Sequence, residues 1–462
     1  MRHRILATLL YTEWLSFKRE KSLLLFTLLL LAAGFYGIYS GHAEISRQRT
    51  KLAGLEQLYQ DNISEMNAKY PDGADAGDIG YYHSAFARNL PDSWAALSIG
   101  QRDANPYYIK LRLLAVQNQL YNSENTNPDK LASGTFDLAF VLVYILPLFI
   151  VAICFNIYSA EKERGTLGSI LSQPVSLSAL LFAKFLFRFL LILTLVIFLS
   201  LVGISVNTAT ADSRLWLWIG GTVLYSLFWL GVCYVIVVLK KNSAFNAVSL
   251  LGLWLLFTVI MPVTFNVIIQ IRQPLSEGLQ LTLKQREEVH AGWDRPKEQT
   301  MQRFFTYYPK YRNTPEIGAR FEWKWYYAFQ ELGDRSVDSL YKVYSHKLKS
   351  RSHLTSELSK LSPPATFQLF LNALCGTDIR AQLDFMESAV QYHNKLKAFY
   401  YPYLFYKKPF LESDFAFEPR HAHQSVADRN AIYPALIAML IAFLAVLFAG
   451  AVLQLLVSSE IR

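Results

Sequence analysis

The sequence predicts an all-α membrane protein with six spans and a mostly helical extracytoplasmic domain formed by two long loops. Of the 462 residues, 52% are hydrophobic and only 18% are charged, whereas a soluble domain carries about 25% charged residues. The hydrophobic residues form uninterrupted runs, and most charges lie in two long stretches between those runs. This distribution excludes a disordered chain, a disulfide scaffold and a single soluble globule.

A helix needs about 20 predominantly apolar residues to cross the bilayer core. Six segments are apolar enough: residues 22–39, 136–158, 178–206, 215–239, 244–271 and 431–457. Pro147, Pro262 and Pro434 lie within three of them, and membrane helices tolerate proline where neighbouring groups satisfy the freed carbonyls. Each segment is therefore expected to form one membrane helix.

The short connecting segments predict the orientation. Lysine and arginine outnumber the acids in the pieces that fall on one side, which are residues 1–21, 159–188, 240–243 and 458–462. The positive-inside rule places this side, and so both termini, in the cytoplasm. The long stretches 40–135 and 272–430 then lie outside. We expect them to build one domain together, because each alone would bury a modest core.

Periodic apolar residues indicate helices in both outer stretches. Ile45, Leu52 and Leu55 predict a helix after the first span, and a second helical run is expected around residues 108–121. In the other stretch, Pro363-Pro364 is expected to break the chain between two helical segments.

A cleaved signal peptide is an alternative interpretation of the first apolar run. Residues 40–43 offer a small-residue cleavage motif. However, the region before the run is long and contains Glu13 and Glu20, which is unusual for a signal peptide. We therefore expect the run to be retained as a membrane anchor.

The most informative cytoplasmic segment, residues 159–177, connects the second and third spans. It is expected to form a short amphipathic helix with Glu161 and Glu163 near its N-terminus, where the helix dipole favours acids. Pro174 would end this helix, and Ser176 would cap the third span. Gly165 would cost about 1 kcal/mol inside a helix, which makes sense if another backbone approaches closely there.

This segment resembles the coupling helix of ABC transporter permeases of the type-2 exporter family, whose pattern is E-x-E-x-G-T-L followed by leucine and proline. The resemblance assigns contact with an ATPase to Glu161, Glu163, Arg164, Gly165, Thr166, Leu167, Ile170, Leu171 and Pro174. Lys184 also fits the family's habit of a lysine at the start of the next span.

The N-terminal residues 1–21 resemble the amphipathic elbow helix of the same family, which lies on the inner leaflet. The residues that carry this likeness are Glu13, Trp14, Lys18 and Arg19. The long outer stretches depart from typical members, which have short outer loops. They resemble a bacterial branch with a large extracytoplasmic insertion.

The resemblance implies a permease subunit in the bacterial inner (plasma) membrane that exports or extracts a substrate. Its expected partners are a cytoplasmic ABC ATP-binding subunit, a second permease copy or paralogue, and the lipid bilayer; no nucleic acid is expected. The sequence agrees, because the apolar stretches contain no Asp, Glu, Lys, Arg or His apart from Asp137, taking the third span from Phe189. A carrier driven by an ion gradient normally needs such groups at membrane depth.

The sequence also lacks the phosphate loop G-x-x-x-x-G-K-[S/T] of ATPases. We therefore expect no enzymatic activity and no cofactor on this chain, with ATP and magnesium bound by the separate subunit. Two other functions stay open. The outer domain could transmit force or a signal to a periplasmic or surface partner without transport. Alternatively, His421 and His423, helped by Asp428, could hold a metal in a membrane-anchored enzyme, although a solvated loop is the simpler interpretation and no metal site is predicted.

Overall fold

The chain folds into a bundle of membrane-spanning helices that carries a mostly helical outer domain. The structure, a computed structural model, describes residues 2–70, 73–121, 134–173, 175–209 and 212–459 and is 77% helical. The helices long and apolar enough to cross a membrane are, in order, spans 1 to 6: Lys21–Lys69, Leu138–Glu163, Leu177–Val206, Ser213–Val238, Ser243–Arg272 and Arg429–Leu456. The predicted all-α fold with six spans is confirmed.

Span 1 continues without a break far beyond the membrane. Its helix, Lys21–Lys69, has 49 residues, which corresponds to a length of about 70 Å. No proline interrupts it, and Leu52, Leu55 and Tyr59 bury one face of its outer half against the outer domain. Span 1 and the helix expected after it are thus a single rod that joins the membrane bundle to the outer domain.

The outer domain contains helices of very different length. They are Ala76–Tyr82, Val116–Tyr121, Glu277–Asp294, Lys297–Tyr307, Trp323–Ser336, Asp338–Ser359, Pro363–Cys375 and Ile379–Tyr406. Its core is aromatic, and the rings of Phe304 and Phe405 stack with their centroids 4.7 Å apart. Glu418 is buried in this domain and accepts hydrogen bonds from Tyr59, His83 and Tyr400, so it fixes the rod of span 1 to both outer stretches.

Two small sheets, which the sequence analysis did not predict, join the two outer stretches. The strands are β1 (Ala74–Asp75), β2 (Ala85–Leu90), β3 (Tyr108–Leu111), β4 (Pro409–Phe410) and β5 (His423–Gln424). β1 pairs antiparallel with β4, and β2 lies between antiparallel β3 and parallel β5. The helical run expected around residues 108–121 is therefore wrong in its first half, which is β3. Both outer stretches form one domain, as expected.

One helix of the second outer stretch, Pro363–Cys375, is inserted among the spans. As expected, the chain is broken before Pro363-Pro364, since one helix ends at Ser359 and the next begins at Pro363. Both prolines occupy the first turn of the new helix, where their missing N–H groups cost nothing. Phe367 stacks on Tyr225 of span 4 with a centroid distance of 4.3 Å. Phe370 lies where a Cβ on Gly221 of span 4 would be, so glycine is required there.

Spans 2 and 5 each contain a π-helical turn next to a proline, at Val141–Ile145 and Leu256–Ile260. Pro147 has no N–H for the carbonyl of Val143, which instead accepts a 2.7 Å hydrogen bond from the Tyr225 hydroxyl. In span 5 the N–H of Met261 bonds to the carbonyl of Leu256, and Pro262 has no N–H. The carbonyl of Phe257 therefore accepts a 2.7 Å hydrogen bond from Ser362, which precedes the inserted helix. Side chains from other elements therefore satisfy the carbonyls that the prolines free.

Candidate coupling site beside spans 3 and 5

The segment predicted to be cytoplasmic, residues 159–177, forms two short helices rather than one, and the first of them is the end of span 2. They are Ser159–Glu163 and Leu167–Leu171, and the turn between them contains Gly165 with φ +72°. Among the described residues, no atom beyond the chain neighbours lies within 4 Å of the position that a Cβ on Gly165 would occupy. The part of the chain that the structure describes therefore does not provide the expected close approach of another backbone. The glycine is needed because its left-handed conformation strains any residue with a Cβ.

Glu161, in the first short helix, links this segment to span 3. Its carboxylate accepts a hydrogen bond from Nζ of Lys184 at 2.9 Å and another from the hydroxyl of Thr166. The side chain of Lys184 is only 8% exposed, so this ion pair is better shielded from solvent than a surface pair. The hydrogen bond from Thr166 therefore holds the turn between the two short helices against the carboxylate that also binds Lys184.

The ion pair extends to the N-terminal helix, Arg2–Arg19. Glu13 of this helix forms an ion pair with Arg188 of span 3 at 2.7 Å and lies 3.7 Å from Lys184. Arg188 also donates a hydrogen bond to the carbonyl of Ile153 in span 2 at 2.9 Å. Glu13, Glu161, Lys184 and Arg188 thus form a four-residue charge cluster that joins the N-terminal helix, the cytoplasmic segment and span 3.

The sequence analysis noted Glu13 and Lys184 separately but did not predict this cluster. Its members are too distant along the chain for a motif to connect them, since 175 residues separate Glu13 from Arg188. The signal that could have found them is the placement of Lys184 and Arg188 one turn apart at the start of an apolar helix, where an unpaired charge is costly.

Other predicted residues of the N-terminal helix lie on its exposed side or pack beside span 3. The ammonium of Lys18 lies 4.7 Å from the ring centroid of Trp14. The Trp14 ring is 6.5 Å from that of Phe187 in span 3. Arg19 is exposed at the last position of this helix.

Glu163, at the end of the first short helix, contacts span 5 instead of span 3. It accepts hydrogen bonds from the backbone N–H and the hydroxyl of Ser243, the first residue of span 5, at 2.7 and 2.8 Å. The hydroxyls of Ser159 and Ser243 are also 2.7 Å apart. A carboxylate at this position suits the N-terminus of span 5, because the helix dipole and the free N–H groups there favour negative charge.

The remaining residues of the segment point away from the bundle. Arg164, Gly165, Thr166 and Leu171 are exposed, and Leu167 and Ile170 are half-buried. Pro174 lies outside the described residues. Ser176 accepts a hydrogen bond from the N–H of Ala179 at 3.2 Å and caps span 3 as predicted. The segment therefore presents two cations, Lys162 and Arg164, and several aliphatic side chains to the solvent, while Glu161 and Glu163 bind the neighbouring spans.

His421 and His423 are not arranged as a metal pair. The Nδ1 atom of His421 accepts a hydrogen bond from the N–H of Arg88, and its Nε2 atom contacts the hydroxyl of Ser388 at 3.1 Å. Burial and the neighbouring His423 lower the pKa of His421 to about 4. Asp428 forms an ion pair with Arg380 at 2.8 Å. Among the residues that the structure describes, no group of three metal-ligating side chains is found.

Comparison with known proteins identifies the membrane part. Residues 93–281 match the family model described as ABC-2 family transporter protein, and this range includes the whole of spans 2 to 5. Residues 279–424 match a domain of unknown function, DUF3526, which covers most of the second outer stretch. No curated protein and no solved structure matches the chain. The chain is a multi-pass membrane protein of the ABC-2 permease type, the membrane component of an ABC transporter.

Proposed function

We propose that the chain moves a substrate out of, or through, the bacterial inner membrane with energy from ATP hydrolysed by a separate subunit. The ATP-binding subunit would dock on the exposed turn and second short helix, residues 164–171. The main support is the attachment of this segment on two sides, through Glu161 to span 3 and through Glu163 to span 5. A displacement of the segment would therefore act on both spans at once.

The charge cluster supports a rigid connection between the docking site and the spans. Lys184 and Arg188 are largely buried, and each is paired with a carboxylate, so separating them would leave a charge unpaired. Closure of two ATP-binding subunits would favour one arrangement of the permeases and reopening would favour another. In this proposal, Glu13 makes the N-terminal helix move with the segment.

The proposed complex contains two permeases, either two copies of this chain or one copy and a paralogue. Both termini would be cytoplasmic, on the same side as residues 159–177, which we call the coupling segment. ATP and Mg²⁺ would be bound by the ATP-binding subunits, in line with the missing phosphate loop of this sequence. The chain itself would provide the path and the docking site, without catalytic residues.

The proposal is tested by purifying the chain with its ATP-binding subunit. Gly165→Trp places a bulky side chain on the proposed docking surface and is expected to abolish the complex or its ATP turnover. Gly54→Trp, in the outer part of span 1, controls for the added bulk, because a Cβ there also meets no described atom within 4 Å. Gly165→Asn controls for the backbone, because asparagine tolerates the left-handed conformation, and it should keep the complex and its ATP turnover. An intact, fully active complex with Gly165→Trp would show that the ATPase docks elsewhere.

A second function, transmission of force or a signal to an outer partner without transport, is supported by the rod of span 1. This helix runs unbroken from the N-terminal helix to the outer domain, and Glu418 fastens the outer domain to it. A structure of the permease dimer with no cavity wide enough for a solute, together with capture of a periplasmic or surface partner, would favour this function. A solute-sized path would favour transport.

A further inference from the structure

A large groove opens on the side of the bundle between spans 3, 4 and 6. Its volume is about 880 Å³, within the range of roughly 300–1,000 Å³ that ligand pockets occupy. Its walls are apolar and partly aromatic, with Phe182, Phe185 and Phe189 from span 3 and Phe443 and Leu447 from span 6. Phe182 is 60% exposed, so the groove is open toward the surrounding membrane.

The groove lies in the half of the bundle that carries the coupling segment. Leu177, at the first position of span 3, and Val238, at the last position of span 4, line one end. Gln454 of span 6 lies at the same end and forms a hydrogen bond with Tyr234 of span 4. The groove therefore faces the leaflet beside the coupling segment.

Positive charge gathers at this end of the groove. Lys240 lines it, and the next residue, Lys241, is exposed. The ammonium of Lys162 in the coupling segment donates a hydrogen bond to the carbonyl of Lys240 at 3.4 Å. Glu163, in the same short helix as Lys162, contributes one negative charge and accepts hydrogen bonds from Ser243, so it offsets one of these three lysines. The mouth of the groove thus has a net positive charge next to an apolar cavity.

We propose that this groove binds an anionic phospholipid, with an acyl chain between spans 3, 4 and 6 and the headgroup at Lys240 and Lys162. The apolar walls match an acyl chain, because within a bilayer an open apolar groove is filled by whatever hydrocarbon is adjacent to it. The lysines select the headgroup, because basic residues next to a membrane helix attract anionic lipids. Such a lipid would contact the coupling segment directly.

This lipid site extends the proposed function without depending on it. Lys162 belongs to the same short helix as Glu161 and Glu163, so a headgroup bound to Lys162 would restrain the segment that the ATPase is proposed to move. The lipid would be bound whether or not an ATP-binding subunit is present. Failure of the docking proposal and failure of the lipid proposal can therefore be distinguished.

The test uses the full chain in nanodiscs of phosphatidylcholine with a small fraction of phosphatidylglycerol that carries a photoreactive acyl chain. After illumination, mass spectrometry locates the labelled peptides. Labelling is expected within residues 177–189 and 443–454. A phosphatidylcholine probe with the same acyl chain should label these peptides at least about fivefold less. This is the difference expected when one basic residue attracts the headgroup of an anionic lipid.

Two variants separate the acyl chain from the headgroup. Ala451→Trp fills the groove and should abolish the labelling, whereas Val263→Trp, at a 59% exposed position of span 5, should not change it. Lys240→Asn removes the charge but keeps a residue that tolerates the left-handed backbone at φ +55°, and should lower the labelling about fivefold. Lys342→Asn, in the exposed part of an outer helix, is its control.

Three results would overturn the proposal. Two of them are equal labelling by both probes and labelling that Ala451→Trp leaves unchanged. The other is a disulfide between two copies of a Phe182→Cys variant in native membranes, formed with copper-phenanthroline, which would show that a second permease copy occupies the groove. The native thiols Cys154, Cys233 and Cys375 are buried, so they would not confuse this assay.

Discussion

Glu163 accepts hydrogen bonds from both the backbone N–H and the hydroxyl of Ser243, and so it holds the coupling segment against the first turn of span 5. Glu161, two residues earlier, makes the corresponding contact with span 3 through Lys184. The coupling segment is thus attached to two membrane helices by two carboxylates of the same short helix. The first prediction concerns the contact with span 5.

Glu163→Ala removes the contact with span 5 and leaves the contact with span 3. Because Glu163 is exposed, the melting temperature of the chain should change little. In the complex, ATP turnover that depends on the permease should fall about fivefold or more, the size of a typical coupling free energy. Glu357→Ala, which removes an exposed acid paired with Lys360 in the outer domain, is the control and should leave turnover unchanged. If Glu163→Ala leaves ATP turnover unchanged, the contact between Glu163 and span 5 does not take part in coupling.

The conformation of Gly165 gives a second prediction, on stability. Gly165→Ala should destabilise the chain by about 1 kcal/mol, because alanine is strained at φ +72°. Gly168→Ala should be neutral or stabilising by up to about 1 kcal/mol, because Gly168 is helical and equally free of neighbours. Gly165→Asn should recover part of the loss. Thermal unfolding of the three variants measures these differences, and equal effects at both positions would refute the argument from backbone conformation.

The carbonyls freed by the prolines give a third prediction. Ser362→Ala should destabilise the chain by about 1–2 kcal/mol, because the Phe257 carbonyl loses its side-chain donor and the inserted helix loses its N-cap. Thr194→Val is the control. It also removes a hydroxyl that donates to a helix carbonyl, but the carbonyl of Leu190 belongs to an ordinary α-helical turn of span 3. Chemical denaturation in detergent would compare them, and equal losses would mean that the π-helical turn needs no support from the inserted helix.

The hydropathy of the sequence was sufficient to predict the six spans, and the residue pattern around Glu161 was sufficient to predict the family. The inserted helix Pro363–Cys375 was missed because its 13 residues are too few to cross a bilayer and polar Gln368 and Asn372 interrupt its apolar run. The contacts of Glu13 and Glu163 were missed for a different reason. Their partners, Arg188 and Ser243, become neighbours only when the spans pack together, and no local periodicity records that packing.

The interpretation of Gly165 shows a further limit of sequence reasoning. A glycine in a helical pattern is compatible with a close contact, a break in the helix or a left-handed turn. The sequence alone favoured the first, and the structure has the third. The strands β1 to β5 were missed because each contains only two to six residues, too short for alternation to be recognised.

Acid sensitivity of the outer domain is the fourth prediction. Burial, and next the ammonium of Lys397, lower the pKa of His393 to about 3. In the unfolded chain a histidine takes up a proton below about pH 6.5, so the unfolded state binds more protons as the pH falls. This residue should therefore reduce stability between pH 6.5 and 3, by up to about 1.4 kcal/mol per pH unit.

The check is the melting temperature of the full chain at pH 7, 6 and 5. His393→Gln should be less sensitive to acid than the unmodified chain, because glutamine does not titrate and can still donate to the carbonyl of Arg112. His290→Gln, at an exposed position of an outer helix, should keep the original acid sensitivity. Identical pH profiles for all three proteins would contradict the contribution of His393.

The central proposal, that an ATP-binding subunit docks on residues 164–171, is tested most directly by cross-linking. Leu171→Cys places a thiol at a 40% exposed position of the second short helix, and Trp216→Cys places one at a 75% exposed position near the opposite end of span 4. The three native cysteines are buried and contribute little background. With a short bifunctional maleimide–photoreactive reagent, Leu171→Cys is predicted to cross-link to the ATP-binding subunit and Trp216→Cys is not. An ATP-binding subunit that cross-links to Trp216→Cys but not to Leu171→Cys would contradict the proposal.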